Sequence, residues 1–390
     1  MQKFTLPETK KISILALGAE SSGNFSYFDG MHLYFSEDFG DLLLVENFSR
    51  YKKKLQSFLK NESSCPNIIL SDMHPDFVTT ALAQRLARKY KVEHIGVQHH
   101  HAHIFSAICD RIIHNTSYKI PATLIGIACD GTGYSEDGTV WGGEVFQISN
   151  SKFQIVHKTN GRELHIERIG HLEHQMLIGG VLAIQEPARI IISIIKKFRH
   201  TKVKNNKRLA YSLVKKYYSK NEFELLWNQS EQNFNCIQTS STARILDAVS
   251  VLLGFCKNER LSKHGPIDLL EKNSTTHYAD LEPIIESSEM YILNTVFLFE
   301  YLIKNLRKDK RRLAATAQKY LADGLLQIIK ALHTGEVSES TFFSGGMANN
   351  KIISSILGKQ GIYISKKIPR GDAGISVGQF FYYLLTNSGN

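Results

Sequence analysis

The chain contains two apolar strand segments, each of which enters a turn of small residues and leaves it through a second strand. The first segment, ISILALG at residues 12–18, enters GAESSGN and leaves through FSYF. The second segment, TLIGIACD at residues 123–130, enters GTGYSEDG and leaves through TVWGGEVFQI. Helical periodicity follows at residues 48–59 and 79–90, and over a long stretch after the second unit. This repeat predicts a duplicated α/β fold with a cleft between two lobes.

A chain of 390 residues is long enough to form two domains of ordinary size. No low-complexity linker is present, so we expect one compact enzyme with lobe I at residues 1–118 and lobe II at residues 119–390. Residues 186–275 are mainly helical in pattern and predict an insert in lobe II. Pro187 is placed there like a first-turn proline. A long amphipathic helix is predicted at residues 311–335, where a glycine closes it.

The composition is that of an ordinary soluble protein, with 43% hydrophobic and 22% charged residues. No apolar run approaches the roughly 18 residues that a membrane-spanning helix needs, and the start MQKFTLPETKK has no apolar signal core. We therefore expect a cytoplasmic protein without a membrane partner. The five cysteines form no CxxC pair, which argues against a zinc finger or a disulfide framework. Their thiols are expected to be buried: Cys65, Cys109, Cys129, Cys236 and Cys256.

The net charge of +10 allows two interpretations. It could attract nucleic acid, a nucleotide or an acidic partner. However, the basic residues occur mainly in helical stretches such as KKFRHTKVKNNKR and RKDKRR, and no RNA-binding signature with interleaved aromatic residues is present. A solvated basic surface is therefore the preferred interpretation, and a surface that binds polyanions is the alternative.

The segment VQHHHAHIFSA, at residues 97–107, places four of the sixteen histidines within five positions. If it is helical, His99 and His103 are four residues apart and share one polar face with Ser106 and Asp110. Two imidazoles one turn apart can bind one metal ion. The other two histidines fall off that face and are expected to pack or to form hydrogen bonds: His100 and His101. A purely structural role for the histidine pair is the alternative.

Two aspartates could complete such a site with oxygen ligands. Asp130 ends a buried apolar strand, where an unpaired carboxylate is costly, so we expect it to have a partner. Asp372, in RGDAGISVGQ, stands just before a helix whose free N–H groups attract anions. The alternatives are a turn-forming role for Asp130 and an N-cap role for Asp372.

Two glycine-rich segments are candidates for nucleotide binding. In DGTG, Gly131 and Gly133 carry no Cβ and would leave backbone amides open to phosphate oxygens. FFSGGMANN offers Gly345 and Gly346 at a strand-to-helix transition, and Asn350 could bond a ribose or a base. Each segment alone is weak evidence, because glycine pairs are common in turns, but together they predict a nucleotide site. Neither is a P-loop, since no GxxxxGKS or GxxxxGKT occurs.

Eight segments occur in the order found in the C-terminal carbamoyltransferase module of the HypF hydrogenase maturation proteins. They are LALGAE, LSDMHPDF, VQHHHAHI, ACDGTGYSEDGTVWGGE, IGHLEHQMLIGGVLAIQEPAR, TSSTARILDAVSVLLGF, FSGGMANN and GDAGISVGQ. The chain resembles this module from about residue 12 to residue 379. The resemblance is specific, because HHHAH and DGTGY…DGTVWGGE together separate this module from more distant relatives.

The resemblance implies an ASKHA fold, the two-lobed α/β fold of actin, sugar kinases and heat-shock ATPases, with duplicated RNase H-like halves. It also implies an adenine nucleotide (ATP, AMP or carbamoyl adenylate) and one divalent metal ion, which could be iron(II), zinc or manganese. The residues that match the metal ligands are His99, His103, Asp130 and Asp372. The residues that match the nucleotide site are Gly131, Thr132, Gly133, Gly345, Gly346 and Asn350.

In the resembled family, a carbamoyl group passes from carbamoyl adenylate to the C-terminal cysteine thiol of HypE. The resemblance therefore implies a HypE-like acceptor and a separate YrdC-like protein that forms the adenylate, because the domains that precede this module in full HypF do not occur in the sequence. His74 in DMHPDF would act as a base or position the carbamoyl group, and Arg189 in EPAR would bind phosphate. The alternatives are an oriented structural histidine and a helix-surface arginine.

The sequence departs from the HypF pattern at several places. GAESSGN lacks the usual lysine, Ile178 and Val181 replace a proline and an acidic residue, and EPAR has alanine for tryptophan. KHGPIDLLE, at residues 263–271, is closer to the GGP segment of the tRNA threonylcarbamoyl transferases than to the glutamate-glycine-glutamine stretch of HypF.

These departures leave other functions open besides transfer to a protein thiol. Threonylcarbamoyl transfer to tRNA is one, supported by the positive charge and by HGP. An O-carbamoyltransferase that acts on a small molecule is another. A third is a regulatory nucleotide-binding subunit that has kept the fold and lost the chemistry.

Overall fold

The computed structural model describes residues 1–7, 9–61, 65–135, 137–150, 164–198, 203–332 and 340–387. Two β-sheets form the centres of two lobes, with helices packed between them and on their outer faces. The sheets lie on the two sides of the predicted boundary at residues 118–119, which agrees with a two-lobed α/β chain.

Lobe I is built on a six-stranded sheet. Its strands are β1 (Gln2–Thr5), β2 (Ile14–Ala16), β3 (Ser26–Phe28), β4 (His32–Phe35), β5 (Ile68–Asp72) and β6 (Glu93–Val97). Its helices are α1 (Val45–Asn61), α2 (Val78–Tyr90) and α3 (His99–His114). The strand order is β1-β4-β3-β2-β5-β6, in which β2, β5 and β6 are parallel. The predicted strand-turn-strand unit is confirmed as the antiparallel pair β2 and β3.

Lobe II is built on a nine-stranded sheet and contains ten helices among its described residues. The strands are β7 (Thr123–Tyr134), β8 (Val140–Asn150), β9 (Leu164–Leu172), β10 (Gln175–Ile178), β11 (Cys236–Thr239), β12 (Ile285–Ser287), β13 (Tyr291–Leu293), β14 (Thr341–Ser344) and β15 (Tyr363–Ile364). The helices are α4 (Val181–Gln185), α5 (Ala188–Lys196), α6 (Val203–Val214), α7 (Lys220–Glu231), α8 (Thr242–Leu253), α9 (Gly265–Asn273), α10 (Thr295–Lys304), α11 (Lys310–Leu332), α12 (Lys351–Lys359) and α13 (Ile375–Thr386).

The two sheets share one strand order, which is the physical basis of the duplication. In lobe I the core order is β4-β3-β2-β5-β6, and in lobe II it is β9-β8-β7-β14-β15. In both, the first three strands in sequence are antiparallel and the last two are parallel to the first. A parallel addition needs a crossover, which α1 and α2 provide in lobe I and α11 and α12 in lobe II.

The predicted insert at residues 186–275 is mainly helical, and it also contains a strand. Helices α5 to α9 lie within it, and Ser241 caps α8, since its Oγ accepts a hydrogen bond from the N–H of Arg244 at 3.2 Å. Strand β11 pairs with β10 and extends the sheet of lobe II. Gly335, which was predicted to close the long helix, lies outside the described residues; α11 ends at Leu332.

Two helices, α3 and α13, form a layer between the sheets. Helix α3 packs on β7 and β14 of lobe II, whereas α13 packs on β2, β3 and β5 of lobe I. Their apolar side chains join one core that includes Phe28, Ile104, Phe342 and Phe380. The C-terminal helix α13 therefore packs on lobe I, although the predicted boundary assigns it to lobe II. The two lobes are interlocked in this way.

The two helices cross with their backbones in contact. A Cβ atom on Gly378 of α13 would lie 1.7 Å from the carbonyl oxygen of Ala102 in α3. Only glycine allows this approach. Beside the crossing, the Gln379 side chain accepts a hydrogen bond from the N–H of Gly18 at 2.9 Å, which ties α13 to the first turn of lobe I.

The cysteines are only partly as expected. Cys109 and Cys129 are buried, and burial raises the pKa of both thiols. The expectation of burial is wrong for Cys65, which is exposed after α1, and the other two are partly exposed. Among the described residues, every helix is too short or too polar to cross a lipid bilayer.

The helix crossing predicts a strong effect of one methyl group. We expect Gly378→Ala to lower the free energy of unfolding by about 1–3 kcal/mol, because the new Cβ must push α3 and α13 apart. Gly358→Ala is the matched control, since a Cβ at that helical position would only reach ordinary contact with Ile364 at 3.8 Å. This control should raise the unfolding free energy by about 0.5–1 kcal/mol. Urea denaturation followed by circular dichroism measures the unfolding free energy of both variants. Equal values would contradict a backbone contact that only glycine allows at the crossing of α3 and α13.

Candidate metal centre

Helix α3 begins at the histidine cluster and orients it. Gln98 is the N-cap, and its Oε1 accepts hydrogen bonds from the N–H groups of His100 at 2.6 Å and His101 at 2.9 Å. His99 and His103 therefore lie on the same face of α3, one turn apart, as predicted. Both are buried, and their ring centroids are 4.7 Å apart with perpendicular planes.

Asp130 reaches these imidazoles from a bulge in β7. The pairing of β7 with β8 shifts register between Cys129 and Gly133, so the expectation that the strand ends at Asp130 is wrong. The bulge turns the carboxylate toward α3, where Asp130 Oδ2 lies 3.2 Å from Nε2 of His99 and 3.1 Å from Nε2 of His103. The expected partners of Asp130 are thus the two histidines.

Asp372 completes the group from the segment that leads into α13. It lies in a single 3-10 turn immediately before α13. Its Oδ1 is 3.5 Å from Nε2 of His103 and 3.7 Å from Nε2 of His99. One ligand atom from each of the four residues lies within 4.8 Å of the others, and we call this group the four-donor cluster.

The imidazoles and carboxylates of the four-donor cluster stabilise each other's charged forms. Burial disfavours the carboxylates, but the hydrogen bonds to His103 and His99 outweigh it, and the pKa values of Asp130 and Asp372 fall well below the usual range. Burial also disfavours the imidazolium form of His99 and His103, yet the surrounding carboxylates raise the pKa of both. One divalent cation would balance the charge of the two carboxylates. The donor set and its charge fit a metal ion.

Asp72 is a partner of the cluster that the sequence analysis missed. Its Oδ2 lies 2.6 Å from Nδ1 of His99, and its Oδ1 accepts a hydrogen bond from the N–H of His74 at 2.9 Å. A carboxylate on the far nitrogen orients a ligating imidazole and fixes its tautomer. The available signal was the position of Asp72 at the end of an apolar strand, just before the His-Pro pair.

The outer oxygen of Asp372 is also bound. Ser21, in the first turn of lobe I, donates a hydrogen bond to Oδ2, and Lys263 Nζ lies 3.0 Å from the same atom. Lys263 also donates to the Ser21 hydroxyl at 2.8 Å. Burial disfavours the ammonium, but the charge of Asp372 outweighs it and raises the pKa of Lys263. The insert, lobe I and the C-terminal segment meet at this carboxylate.

Asp110, predicted on the same face as the histidines, positions the segment that leads to Asp372. Its buried carboxylate accepts hydrogen bonds at 2.6–2.8 Å from the N–H groups of Lys366, Lys367 and Ile368 and from the Tyr363 hydroxyl. Three successive amides on one carboxylate fix the path of this segment. Asp110 therefore does not face an open cleft.

The other two histidines pack, as expected. A Cβ on Gly133 would lie 2.1 Å from Cε1 of His100, so this glycine makes room for an imidazole. Burial and the charges of His99 and His103 lower the pKa of His100. His101 packs against Phe146, and burial lowers its pKa to about 4. Both rings are neutral near pH 7.

The residues predicted for nucleotide binding lie in two places. Gly345, at a φ of +95°, and Gly346 follow β14, and the N–H of Gly346 donates to Asp130 Oδ1 at 3.2 Å. Asn350 is the N-cap of α12, and its side-chain amide donates to Gln318 at 2.7 Å. The other three residues lie in the β7 bulge, on the strand that pairs with β14: Gly131, Thr132 and Gly133.

The two residues predicted to be catalytic lie on different elements and make different contacts. His74 stacks on Phe77, with ring centroids 4.3 Å apart and planes 3° apart, close to Asp72. Arg189 lies in the insert, where its Nε donates to Glu186 at 2.9 Å and its Nη1 to the carbonyl of Ile178 at 3.3 Å. These contacts give Arg189 no link to the four-donor cluster, and its role in phosphate binding stays a prediction.

Two cavities reach the four-donor cluster and share no lining residue. The basic cavity has a volume of about 360 Å³ and is lined by Asp130 and Asp372 together with Lys263, Gly346 and Arg370. The aromatic cavity has a volume of about 320 Å³ and is lined by Asp72 and His99 together with His74, Phe77 and Tyr134. The cluster therefore lies between two separate spaces.

The sequence matches two models of protein families. The model described as "Carbamoyltransferase, Kae1-like Domain, second subdomain" matches residues 126–379. The model described as "HypF Kae1-like domain" matches residues 9–110. The first match alone covers more than half of the chain.

Individual relatives agree with these matches. The probable carbamoyltransferase HypF of Methanocaldococcus jannaschii is 33% identical over 98% of this chain and 48% of its own length. The carbamoyltransferase HypF homolog of Cupriavidus necator is 27% identical over 97% of this chain and 93% of its own length. The chain thus spans about half of one relative and nearly all of the other.

Solved structures show the same fold. Full-length HypF in its phosphate- and nucleotide-bound form superposes with a TM-score of 0.81 at 25% identity, over 98% of this chain and 57% of that chain. HypF of T. kodakarensis also gives a TM-score of 0.81, at 27% identity, over 99% of this chain and 49% of that chain. The two-lobed ASKHA fold is confirmed.

The bond between Asp72 and His99 predicts a measurable effect on metal affinity. We expect Asp72→Asn to weaken binding of cobalt(II) by about 10- to 100-fold, because His99 loses the carboxylate that orients it. Titration of metal-free protein, followed by visible absorption of the cobalt complex, measures the affinity. Asp76→Asn is the control, since Asp76 is exposed in the same loop. Equal affinities of the two variants would contradict the role of Asp72.

Proposed function

The chain belongs to the HypF family of carbamoyltransferases, and from this premise we propose that it transfers a carbamoyl group from carbamoyl adenylate to a protein thiol. The proposed acceptor is the C-terminal cysteine of a HypE-like protein, in the maturation of nickel–iron hydrogenases. The observation that carries the proposal is the four-donor cluster, which lies between a basic cavity and a second, aromatic one.

The four-donor cluster is proposed to hold one divalent metal ion. His99 and His103 would supply nitrogen ligands, and Asp130 and Asp372 oxygen ligands. Iron(II), zinc and manganese all accept this donor set. When bound, such an ion supplies Lewis-acid polarisation of a phosphate or carbonyl oxygen. Asp72 keeps the His99 ring in place, and Lys263 with Ser21 holds the outer oxygen of Asp372.

The basic cavity is proposed to hold the nucleotide. It adjoins a smaller cavity of about 80 Å³ with which it shares His264, Gly346 and Asn349. The end of the basic cavity at Lys263 suits the phosphate, to which the ammonium can donate. The N–H groups of Gly345 and Gly346 already donate to the Arg370 carbonyl and to Asp130, so these glycines would contribute space rather than amides. The smaller cavity is lined by the Glu271 carboxylate and by Asn350, groups that can bond ribose hydroxyls. Gly131 directly follows Asp130, which lines the basic cavity.

The proposed reaction forms one bond and breaks one. The acceptor sulfur attacks the carbamoyl carbon and forms a carbon–sulfur bond, while the bond from that carbon to the phosphate oxygen breaks and its electron pair leaves with AMP. The thiol proton passes to His74 or to water. His74 is suited to this role because its stacking on Phe77 fixes the ring beside Asp72 and His99. The products are a protein thiocarbamate and AMP.

Two further parts of the proposal concern the cellular setting. A YrdC-like protein is proposed to form the carbamoyl adenylate, and the lability of that compound favours direct docking over free diffusion. We place the reaction in the cytoplasm.

The test of the proposed function is an assay with synthetic carbamoyl adenylate and metal-loaded protein. We expect a peptide that ends in cysteine to gain the mass of one carbamoyl group, and the same peptide ending in serine to stay unchanged. A hydroxylated small molecule and tRNA are the competing acceptors. Label on tRNA would instead favour a threonylcarbamoyl-transferase-like activity, label on the small molecule an O-carbamoyltransferase, and nucleotide binding without any transfer a regulatory subunit.

A second prediction concerns the histidine pair. We expect the double variant His99→Ala with His103→Ala to lose stoichiometric metal and to lower the transfer rate by about 100- to 1000-fold, because the charge that stabilises the leaving phosphate is removed. Metal analysis of the purified protein gives a readout that does not depend on activity. The control is His165→Ala with His277→Ala, both exposed residues. Full metal content in the first double variant would overturn the cluster as the metal site.

A further inference from the structure

The two cavities differ sharply in charge. Four basic residues line the basic cavity: Lys263, Lys366, Lys367 and Arg370. The aromatic cavity contains neither lysine nor arginine among its described lining residues. Asp72, the one carboxylate among those described residues, is buried against His99. A chain of phosphates would therefore lose hydration in the aromatic cavity without gaining a cation.

The walls of the aromatic cavity suit a short peptide of low charge. His74, Phe77 and Tyr134 offer aromatic faces, and the hydroxyls of Thr132 and Thr139 can bond peptide groups. The rim is exposed and apolar, with Tyr134 at 40% and Ile237 at 39% of full exposure. A single terminal carboxylate could be bonded by the His74 imidazole and the Thr132 hydroxyl, whereas a repeated charge could not.

Group transfer requires the donor and the acceptor to reach one reacting centre together. The basic cavity reaches the four-donor cluster through Asp130 and Asp372, and the aromatic cavity reaches it through His99. Two molecules can thus approach the same centre without competing for space. Since the adenylate fits the basic side, the aromatic side is free for the acceptor.

We propose that the aromatic cavity is the acceptor site, which binds a short, weakly charged peptide end with its thiol toward His74 and His99. This inference rests on the proposed function and assigns a place to the acceptor. The inference assigns Thr132 and Gly133 to the acceptor site rather than to the predicted nucleotide site, because both line the aromatic cavity. It also disfavours tRNA as the occupant.

The test narrows each cavity with one tryptophan. Ile237→Trp fills the rim of the aromatic cavity, and Ser22→Trp fills the basic cavity. The matched control is Ile284→Trp, because Ile284 is the same residue type at 40% exposure and lines a different surface cavity. Tyr134→Ala is a second variant of the aromatic cavity, measured beside the first and sufficient by itself if Ile237→Trp fails to fold by circular dichroism.

Opposite effects on acceptor and nucleotide are expected. Ile237→Trp should raise the KM for the cysteine-ended peptide by about tenfold or more, with the Kd for AMP within about twofold of the parent value. Ser22→Trp should weaken AMP binding by about tenfold and leave the KM for the peptide unchanged. Weakened AMP binding in Ile237→Trp with an unchanged KM would overturn the assignment, as would the absence of any effect in both aromatic-cavity variants.

A binding measurement separates failure of this inference from failure of the proposed function. If the parent protein transfers carbamoyl to no thiol, the proposed function is wrong, yet fluorescence anisotropy of a fluorescein-labelled peptide ending in cysteine still reports on the cavity. Loss of peptide binding in Ile237→Trp and Tyr134→Ala, but not in Ile284→Trp, would support the site. Equal peptide binding in all variants, or displacement of the peptide by tRNA, would contradict it.

Discussion

The backbone contact between α3 and α13 sets the geometry on which the site depends. Gly378 touches the carbonyl of Ala102, one residue before His103, and Asp372 lies one short turn before α13 begins. The separation between the histidines and Asp372 is therefore fixed mainly by main-chain contact rather than by flexible side chains. Because each helix packs on the sheet of the opposite lobe, the same crossing also holds the lobes together. The crossing of α3 and α13 therefore sets both the geometry of the site and the packing of the lobes.

Three carboxylates lie around this helix crossing, and they are stabilised in two different ways. Asp110 is stabilised by three amides and a hydroxyl, whereas Asp130 and Asp372 are stabilised by imidazoles. The first arrangement is saturated by its own chain and can only be structural. The second brings imidazole nitrogens and carboxylate oxygens together, and these atoms are donors that a cation can bind. This difference distinguishes the proposed metal site from the buried carboxylate of Asp110 on α3, and exposure alone would not have done so.

The sequence allowed much of this to be predicted where the signal is local. The helices at residues 48–59 and 79–90 were found within a few residues of α1 and α2, and the spacing of His99 and His103 placed both on one face. Long-range contacts were not visible. Neither Lys263 nor Asp72 carries a local pattern that pairs it with Asp372 or His99. Gly133 resembled a phosphate-binding glycine, but its lack of a Cβ accommodates His100, a contact over 33 positions that only folding creates.

The uneven charge on the two sides of the four-donor cluster has a consequence for the proposed transfer. On the basic side, Lys263 and the neighbouring cations would stabilise the negative charge that develops on the departing phosphate. On the aromatic side, an approaching thiolate would meet few groups that solvate it, and its hydration would be replaced by Tyr134, Phe77 and the His74 ring. A less solvated nucleophile and a better stabilised leaving group lower the barrier of the same step. A site with cations on both sides would hold the two anions tightly and lose this advantage, so the division between the cavities is itself part of the proposed catalysis.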